Sequence, residues 1–494
     1  MNPVDLAIFV LYLLAMLGVG FYHHRRNRGA EDYYVGGRSM GATHIGLSVV
    51  ATDVGGGFSI GLGGLGFVMG LSGSWLLFTG LLGAWISAVL LIPRVKNHPR
   101  LANAMTFPDL LSVTYGPAVA LVAGIISAIG YLGFTSSQIL AGAKLAEGTF
   151  AALDRETALL IMGATAVGYT VLGGLKAVIY TDTVQWIILM AGLTLFGLPI
   201  CYRYVGGWDA IRNTVPSEML SLTAVDPATF VNWMITILPI WFVGMTLYQR
   251  IYACRDAATA KRAWFLAGLF EWPIMAFLGV ILGLMARVAA EQGLFANLGA
   301  GTAAEMDAET GLPMLLRVAL PTGAMGIVLS AYFSAILSTA DSCLMASSGN
   351  MVSDIAGRIG ILPSGTRLLR MSQIVTLILG AVSLALAWVM TSVLDLMLYS
   401  YAFMVSGLLV PVLGALYWRR RSPAAALFAM VTGGTITVGL ELSGRALPLG
   451  LDPNAFGVSA AALVFVLVTV LFGRTVREDA RLGGYARSEA SPHS

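Results

Sequence analysis

The sequence predicts an all-α integral membrane protein, and three observations carry that prediction. The 494 residues are 57% hydrophobic and only 11% charged, with a mean hydropathy of +0.80, whereas soluble domains carry about 25% charged residues. A soluble fold of this length could not hide so much apolar sequence. Second, about thirteen apolar runs approach or exceed the roughly 20 residues that a bilayer requires. Third, Lys and Arg gather in alternate connections, as membrane topology demands.

In chain order the runs lie at about 4–22, 40–71, 74–93, 117–145, 157–173, 177–203, 228–250, 263–287, 322–348, 370–391, 393–418, 423–443 and 455–473. The first follows Asp5 and precedes His23 to Arg28, the reverse of signal-peptide polarity, so it reads as a retained helix. Arg25, Arg26, Arg28 and Arg38 follow the first run. Arg94, Lys96 and Arg100 follow the third, and Arg250, Arg255, Lys261 and Arg262 the seventh. Arg358, Arg367 and Arg370 border the ninth, and Arg419 to Arg421 follow the eleventh. These fall on one side if the N-terminus is outside and the C-terminus in the cytoplasm of a bacterial-type inner membrane. The other connections, Glu147 to Glu156, Asp209 to Asp226 and Glu291 to Glu309, are acidic or neutral.

Two runs are interrupted. The second carries Gly55-Gly56-Gly57 at its middle, directly after Asp53, and the seventh carries Pro239 and Gly244. Broken helices at matching places in two halves point to a binding site at the bilayer midplane. The expected organisation is one domain over 1–474. It comprises an extra N-terminal helix (4–22), a first five-helix repeat (40–203), a second (228–418) and two C-terminal helices (423–473), followed by a tail (475–494). The repeats are expected to be inverted, with the first and sixth core helices broken.

Chemistry concentrates in few places. Ser338-Thr339-Ala340-Asp341-Ser342 sits inside the ninth run, and a carboxylate among hydroxyls at bilayer depth is expensive to hold. These are hard oxygen ligands without Cys or His beside them, the donor set for Na⁺ rather than a transition metal. Ser338, Asp341 and Ser342 share one helix face, and Thr339 lies one step round. Asp53 and Asp182 are further carboxylates within runs. Each could instead be a helix cap or an interhelical hydrogen bond. Cys201, Cys254 and Cys343 fit no metal or redox spacing and read as small buried apolar residues. No P-loop and no catalytic His or Cys constellation appears, which argues against a pump or an enzyme.

The chain resembles the sodium:solute symporter family (solute carrier 5 type), which has the leucine-transporter fold. The matching pieces are Glu31 to Arg38, Gly173 to Val178 running into Thr181 to Gln185, and Ser338 to Ser342 continuing to Ser353-Asp354-Ile355. The resemblance implies a first Na⁺ held by backbone carbonyls of Ala51, Val54 and Ala335 with the hydroxyls of Ser338 and Thr339. It implies a second at Asp182, Ser338, Asp341 and Ser342. Asp53 stands where proline symporters of the family carry an aspartate important for sodium coupling. The motifs lie nearest the choline-transporter-like branch, but Asp53, Thr135 and Gly244 stand where its tryptophan box would be, which disfavours choline. Candidate solute or coupling residues are Asp53, Gly55, Gly56, Phe58, Ser59, Ser137, Gln138, Trp241, Tyr399 and Tyr401.

The expected function is Na⁺-coupled secondary active import of a small organic solute by alternating access. That solute would be amino acid-like, a carboxylate or another small polar metabolite. The alternatives are H⁺ coupling through Asp53 or Asp341, and a nutrient sensor that binds without efficient transport. Expected partners are Na⁺, the solute and the lipid bilayer, with no nucleic acid. A monomer is expected, with a dimer as the alternative.

Overall fold

The computed structural model describes residues 2–24, 35–150, 153–173, 175–299, 301–363 and 366–475. Arg25 to Arg28, Glu31 to Tyr34, Gly174 and the tail beyond 475 lie outside the described residues. Helix covers every apolar run identified in the sequence. The principal helices are α1 (Pro3–His24), α2 (Ala42–Met69), α3 (Trp75–Leu90), α4 (Pro117–Thr149), α5 (Arg155–Gly173), α6 (Leu175–Gly192), α7 (Pro227–Val243) and α8 (Met245–Ala253). They continue as α9 (Ala257–Leu269), α10 (Ala276–Glu291), α11 (Ala308–Ala319), α12 (Ala324–Gly349), α13 (Thr366–Val389), α14 (Val393–Tyr417), α15 (Pro423–Ser443) and α16 (Pro453–Phe472). Among the described residues, nine helical segments are long and apolar enough to cross a bilayer, or ten if the bent pair α7–α8 counts as one span.

Helix starts follow local chemistry. Free N–H groups at a first turn need an acceptor, and short polar side chains supply it. The Asp226 carboxylate accepts from Ala228 and Thr229 N–H at 3.0 and 3.2 Å to open α7. Asp256 accepts from Thr259 N–H at 2.7 Å to open α9. Asp5, expected to be a flanking charge, is buried. It accepts from Gly323 and Gly326 N–H at 2.7 and 2.9 Å, so α1 caps the start of α12.

The centre of the molecule is α12 with α2. In the most apolar window of the α12 segment 94% is buried inside protein, against 28% for α16, so α12 is a core element and α16 faces outward. Both expected breaks are present. Within α2 the backbone leaves the helix at Gly55 (φ 33°, ψ −158°), a conformation essentially restricted to glycine. Between α7 and α8 the chain turns by 41° at Gly244. A third irregularity, at Phe270–Met275 between α9 and α10, lies in the eighth run and carries Glu271.

Candidate functional site

The break in α2 is pressed against α12. The Thr339 hydroxyl lies 3.0 Å from the carbonyl oxygen of Ala51 and 3.1 Å from that of Ala335. The Ser338 hydroxyl donates to the Ala335 carbonyl at 3.3 Å. Oxygens of Ala51, Ala335, Ser338 and Thr339 thus meet across two helices, all on buried residues, and Val54, also buried, directly precedes the break at Gly55. A Cβ on Gly55 would overlap the Thr339 side chain, so glycine there provides both the turn and the close approach.

The freed backbone beyond the break is satisfied from α4. Gln138 Oε1 accepts from Gly56 and Gly57 N–H at 2.8 and 3.1 Å. Its amide nitrogen donates to the Ser137 hydroxyl at 3.2 Å. Ser59 donates to the Gly55 carbonyl across the break. Gly55, Gly56, Ser59, Ser137 and Gln138 therefore form one assembly. The Phe58 side chain lies outside the described residues.

Asp53 is only 6% exposed. Its Oδ1 lies 3.5 Å from the Tyr401 hydroxyl and its Oδ2 has no donor among the described residues. Against Asp53 stands Glu271, fully buried and within hydrogen-bonding reach of it, an arrangement two carboxylates hold by sharing a proton or a cation; among the described residues no other group donates to the Glu271 oxygens. Among the described residues no Lys, Arg or His is paired with either. Sequence reasoning missed Glu271, although a lone carboxylate before Trp272-Pro273 in an apolar run was visible.

Two expected neighbours of this group lie elsewhere. Tyr399 is 45% exposed and lines a cavity of about 480 Å³ with Asp395, Glu441 and Asp452. Tyr401, two residues on, turns to Asp53, because positions two apart point to nearly opposite sides of a helix. Trp241 is buried where α7 meets α3 and α9, against Gly83 and 6.3 Å from the Trp264 ring.

The hydroxyl and carboxylate residues further along α12 serve a second cluster. Asp341 Oδ1 accepts from Thr170 on α5 at 2.5 Å. Asp182 Oδ2 accepts from Ser48 at 2.5 Å and pairs with Arg250 at 3.3 Å. Arg250 also donates to Thr52 at 2.6 Å and Ser342 at 2.9 Å. Asp182 and Ser342 thus come together around a guanidinium, while Asp341 reaches toward α5. The sequence counted Arg250 among the exposed loop charges. It is fully buried. Asp182 Oδ1 and Asp341 Oδ2 are buried without a donor among the described residues. Arg250 pairs with Asp182 alone, so the buried Asp341 carboxyl has no positive partner among the described residues, a setting that either a proton or a small cation completes.

Comparisons with known proteins show the family and the fold. The family described as the sodium:solute symporter family matches residues 33–433. A high-affinity proline transporter of Bacillus subtilis is 28% identical over 86% of this chain and 89% of its own. The sodium/pantothenate symporter of Escherichia coli is 27% identical over 86% and 88%. Among solved structures, a Na⁺-coupled sialic acid symporter in a substrate-bound outward-open state superposes with a TM-score of 0.79. Its identity is 20%, covering 96% of this chain and 99% of that one, which establishes a shared fold.

Proposed function

This chain belongs to the sodium:solute symporter family, and on that premise we propose a site-by-site account of its Na⁺-coupled import of a small solute. It is a multi-pass plasma-membrane transporter and not an enzyme. Thirteen spans are arranged as an extra N-terminal helix, two inverted five-helix repeats and two C-terminal helices, with the N-terminus outside and the basic connections cytoplasmic.

The first Na⁺ is held by Ala51, Val54 and Ala335 carbonyls with Ser338 and Thr339 hydroxyls. The single observation that carries this is the Thr339 hydroxyl bridging the carbonyls of Ala51 and Ala335, one at a helix break and one on a continuous helix. An ion there completes an interhelical contact that otherwise has only a shared hydroxyl proton. Binding therefore favours the arrangement in which α2 and α12 are pressed together, and the coupling to solute is reciprocal. The second Na⁺ sits between Asp182 and Asp341, with Ser338 and Ser342 beside it. The support is the pair of carboxylate oxygens, Asp182 Oδ1 and Asp341 Oδ2, that lack a donor among the described residues. All ligands are weak oxygens, so the ions can leave.

The solute carries a protonated amine. Asp53 and Glu271 present two buried carboxylates beside the break in α2, with the Tyr401 hydroxyl at their edge, and an ammonium group is the complementary charge. Proline, whose transporters are relatives of this chain, has such a group. Pantothenate, the solute of another relative, does not. A thermal-shift panel of proline and pantothenate, run in Na⁺ and in K⁺ buffers, tests both halves. Stabilisation by proline in Na⁺ alone is the expected result. Equal shifts in Na⁺ and K⁺ would overturn the cation site, and a pantothenate response without a proline response would overturn the amine reading.

A further inference from the structure

We infer that Arg250 is a positioning residue that latches the inner exit of this transporter. Its guanidinium is fully buried and takes partners from three other helices. Nη2 donates to Thr52 at 2.6 Å, to Ser342 at 2.9 Å and to Asp182 at 3.3 Å, and Nε donates to Ser48 at 3.1 Å. Ser48 in turn donates to Asp182 at 2.5 Å, closing the ring. A planar fork with several fixed donors is what such a multi-helix knot requires, and lysine could not reproduce it.

Position gives the knot its role. Ser48 lies one helical turn before Ala51 on α2, and Ser342 one turn after Thr339 on α12. The knot therefore stacks directly beneath the first cation site, on the side of the Lys- and Arg-rich connections. Arg250 itself is on α8, the short half beyond the 41° bend. The guanidinium thus ties the inner halves of both broken helices to α6 and α12. An ion leaving toward the basic connections has to pass the plane of these bonds, and the knot must open as α8 swings. The cluster also brackets the second cation site, because the Asp182 oxygen not engaged by Arg250 and Ser48 is the donorless one. Loss of the latch shifts the resting population toward the inward-open arrangement, and apparent affinity for external solute falls in proportion to the outward-facing fraction that is lost.

Native Cys343, fully buried and next to Ser342, reports that opening. The test uses the full chain with C201S and C254S, reconstituted in liposomes, and compares this parent with R250K and T52V. Maleimide labelling of Cys343 is measured in Na⁺-free buffer, and external solute KM and maximal rate are measured for the compound that scores in the thermal-shift panel. Both variants are expected to label at least tenfold faster and to show a raised KM, with maximal rate within about threefold of the parent. T52V removes only one hydroxyl and decides the matter if R250K fails to fold. Labelling at the parent rate in T52V, or faster labelling with unchanged KM, would overturn the latch. The labelling arm needs neither transport nor solute, so its failure is separate from any failure of the proposed Na⁺ and amine sites.

Discussion

Replacing Thr339 by valine isolates the hydroxyl on which the first cation site depends. The shape of the side chain is nearly kept, so packing between α2 and α12 is little disturbed, while the oxygen 3.0 Å from the Ala51 carbonyl and 3.1 Å from the Ala335 carbonyl is lost. In the absence of Na⁺ the loss is one shared, buried hydrogen bond, roughly 1 kcal/mol of stability. With Na⁺ bound at the proposed site the loss is one of five ligands to a charge. Contacts between a polar group and an ion are each worth about 1.5–3 kcal/mol, which converts to a rise of about 10- to 150-fold in the Na⁺ concentration for half-maximal effect. Thr339→Ser keeps the oxygen and serves as the control, with a shift of no more than about threefold. The assay is the Na⁺ dependence of the melting temperature of the purified protein, repeated as the Na⁺ dependence of solute uptake. A T339V protein that folds and shows the wild-type Na⁺ half-effect would refute the assignment of this hydroxyl as a ligand.

Gly55→Ala places a methyl where Thr339 already stands and forces a non-glycine residue into a backbone region costing about 1–3 kcal/mol. The melting temperature should fall, and the Na⁺-induced shift should shrink as the Thr339 side chain is displaced. Glu271→Gln removes a buried carboxylate that faces Asp53 and has no other partner among the described residues. The protein should melt no lower than wild type, while stabilisation by proline weakens at least tenfold in concentration. A marked loss of stability would show that Glu271 is held by a partner. If Asp341 holds the proposed second Na⁺, Asp341→Asn should lower the Hill slope of uptake against Na⁺ from about two toward one; an unchanged slope would remove Asp341 from the second site. Outside the membrane, the backbone N–H of Thr259 holds the Asp256 carboxyl below its ordinary value. A depressed folded value contributes stability that is present above the unfolded value and is lost as pH falls through the folded one. Asp256→Ala should therefore lower the melting temperature at pH 7 and converge with wild type in acid.

Much of this arrangement was legible in the sequence, and the reasons are local ones. The glycine run after Asp53 announced the break in α2, because no other residue type tolerates that backbone. Ser338 to Ser342 announced an oxygen-rich stretch, because polar groups at bilayer depth are costly unless they are used. What could not be read is pairing across space. Arg250 ends an apolar run beside three other basic residues, and only the packing of α8 against α2, α6 and α12 reveals it as internal. Glu271 stood in plain view in the eighth run, but its relation to Asp53 depends on an irregular turn at 270–275 that no periodicity encodes. Tyr399 and Tyr401 were indistinguishable by composition, and the turn of the helix separated them. Trp241 reads equally well as pocket or packing in an apolar run, and its neighbours Gly83 and Trp264 place it in a helix seam.

The most direct test of Na⁺ coupling is uptake of the solute identified by thermal shift into proteoliposomes at fixed, equal pH on both sides. An inward Na⁺ gradient should drive accumulation above the external concentration, a K⁺ gradient should not, and T339V should shift the Na⁺ dependence upward. Accumulation driven by a pH gradient in the complete absence of Na⁺ would contradict the account.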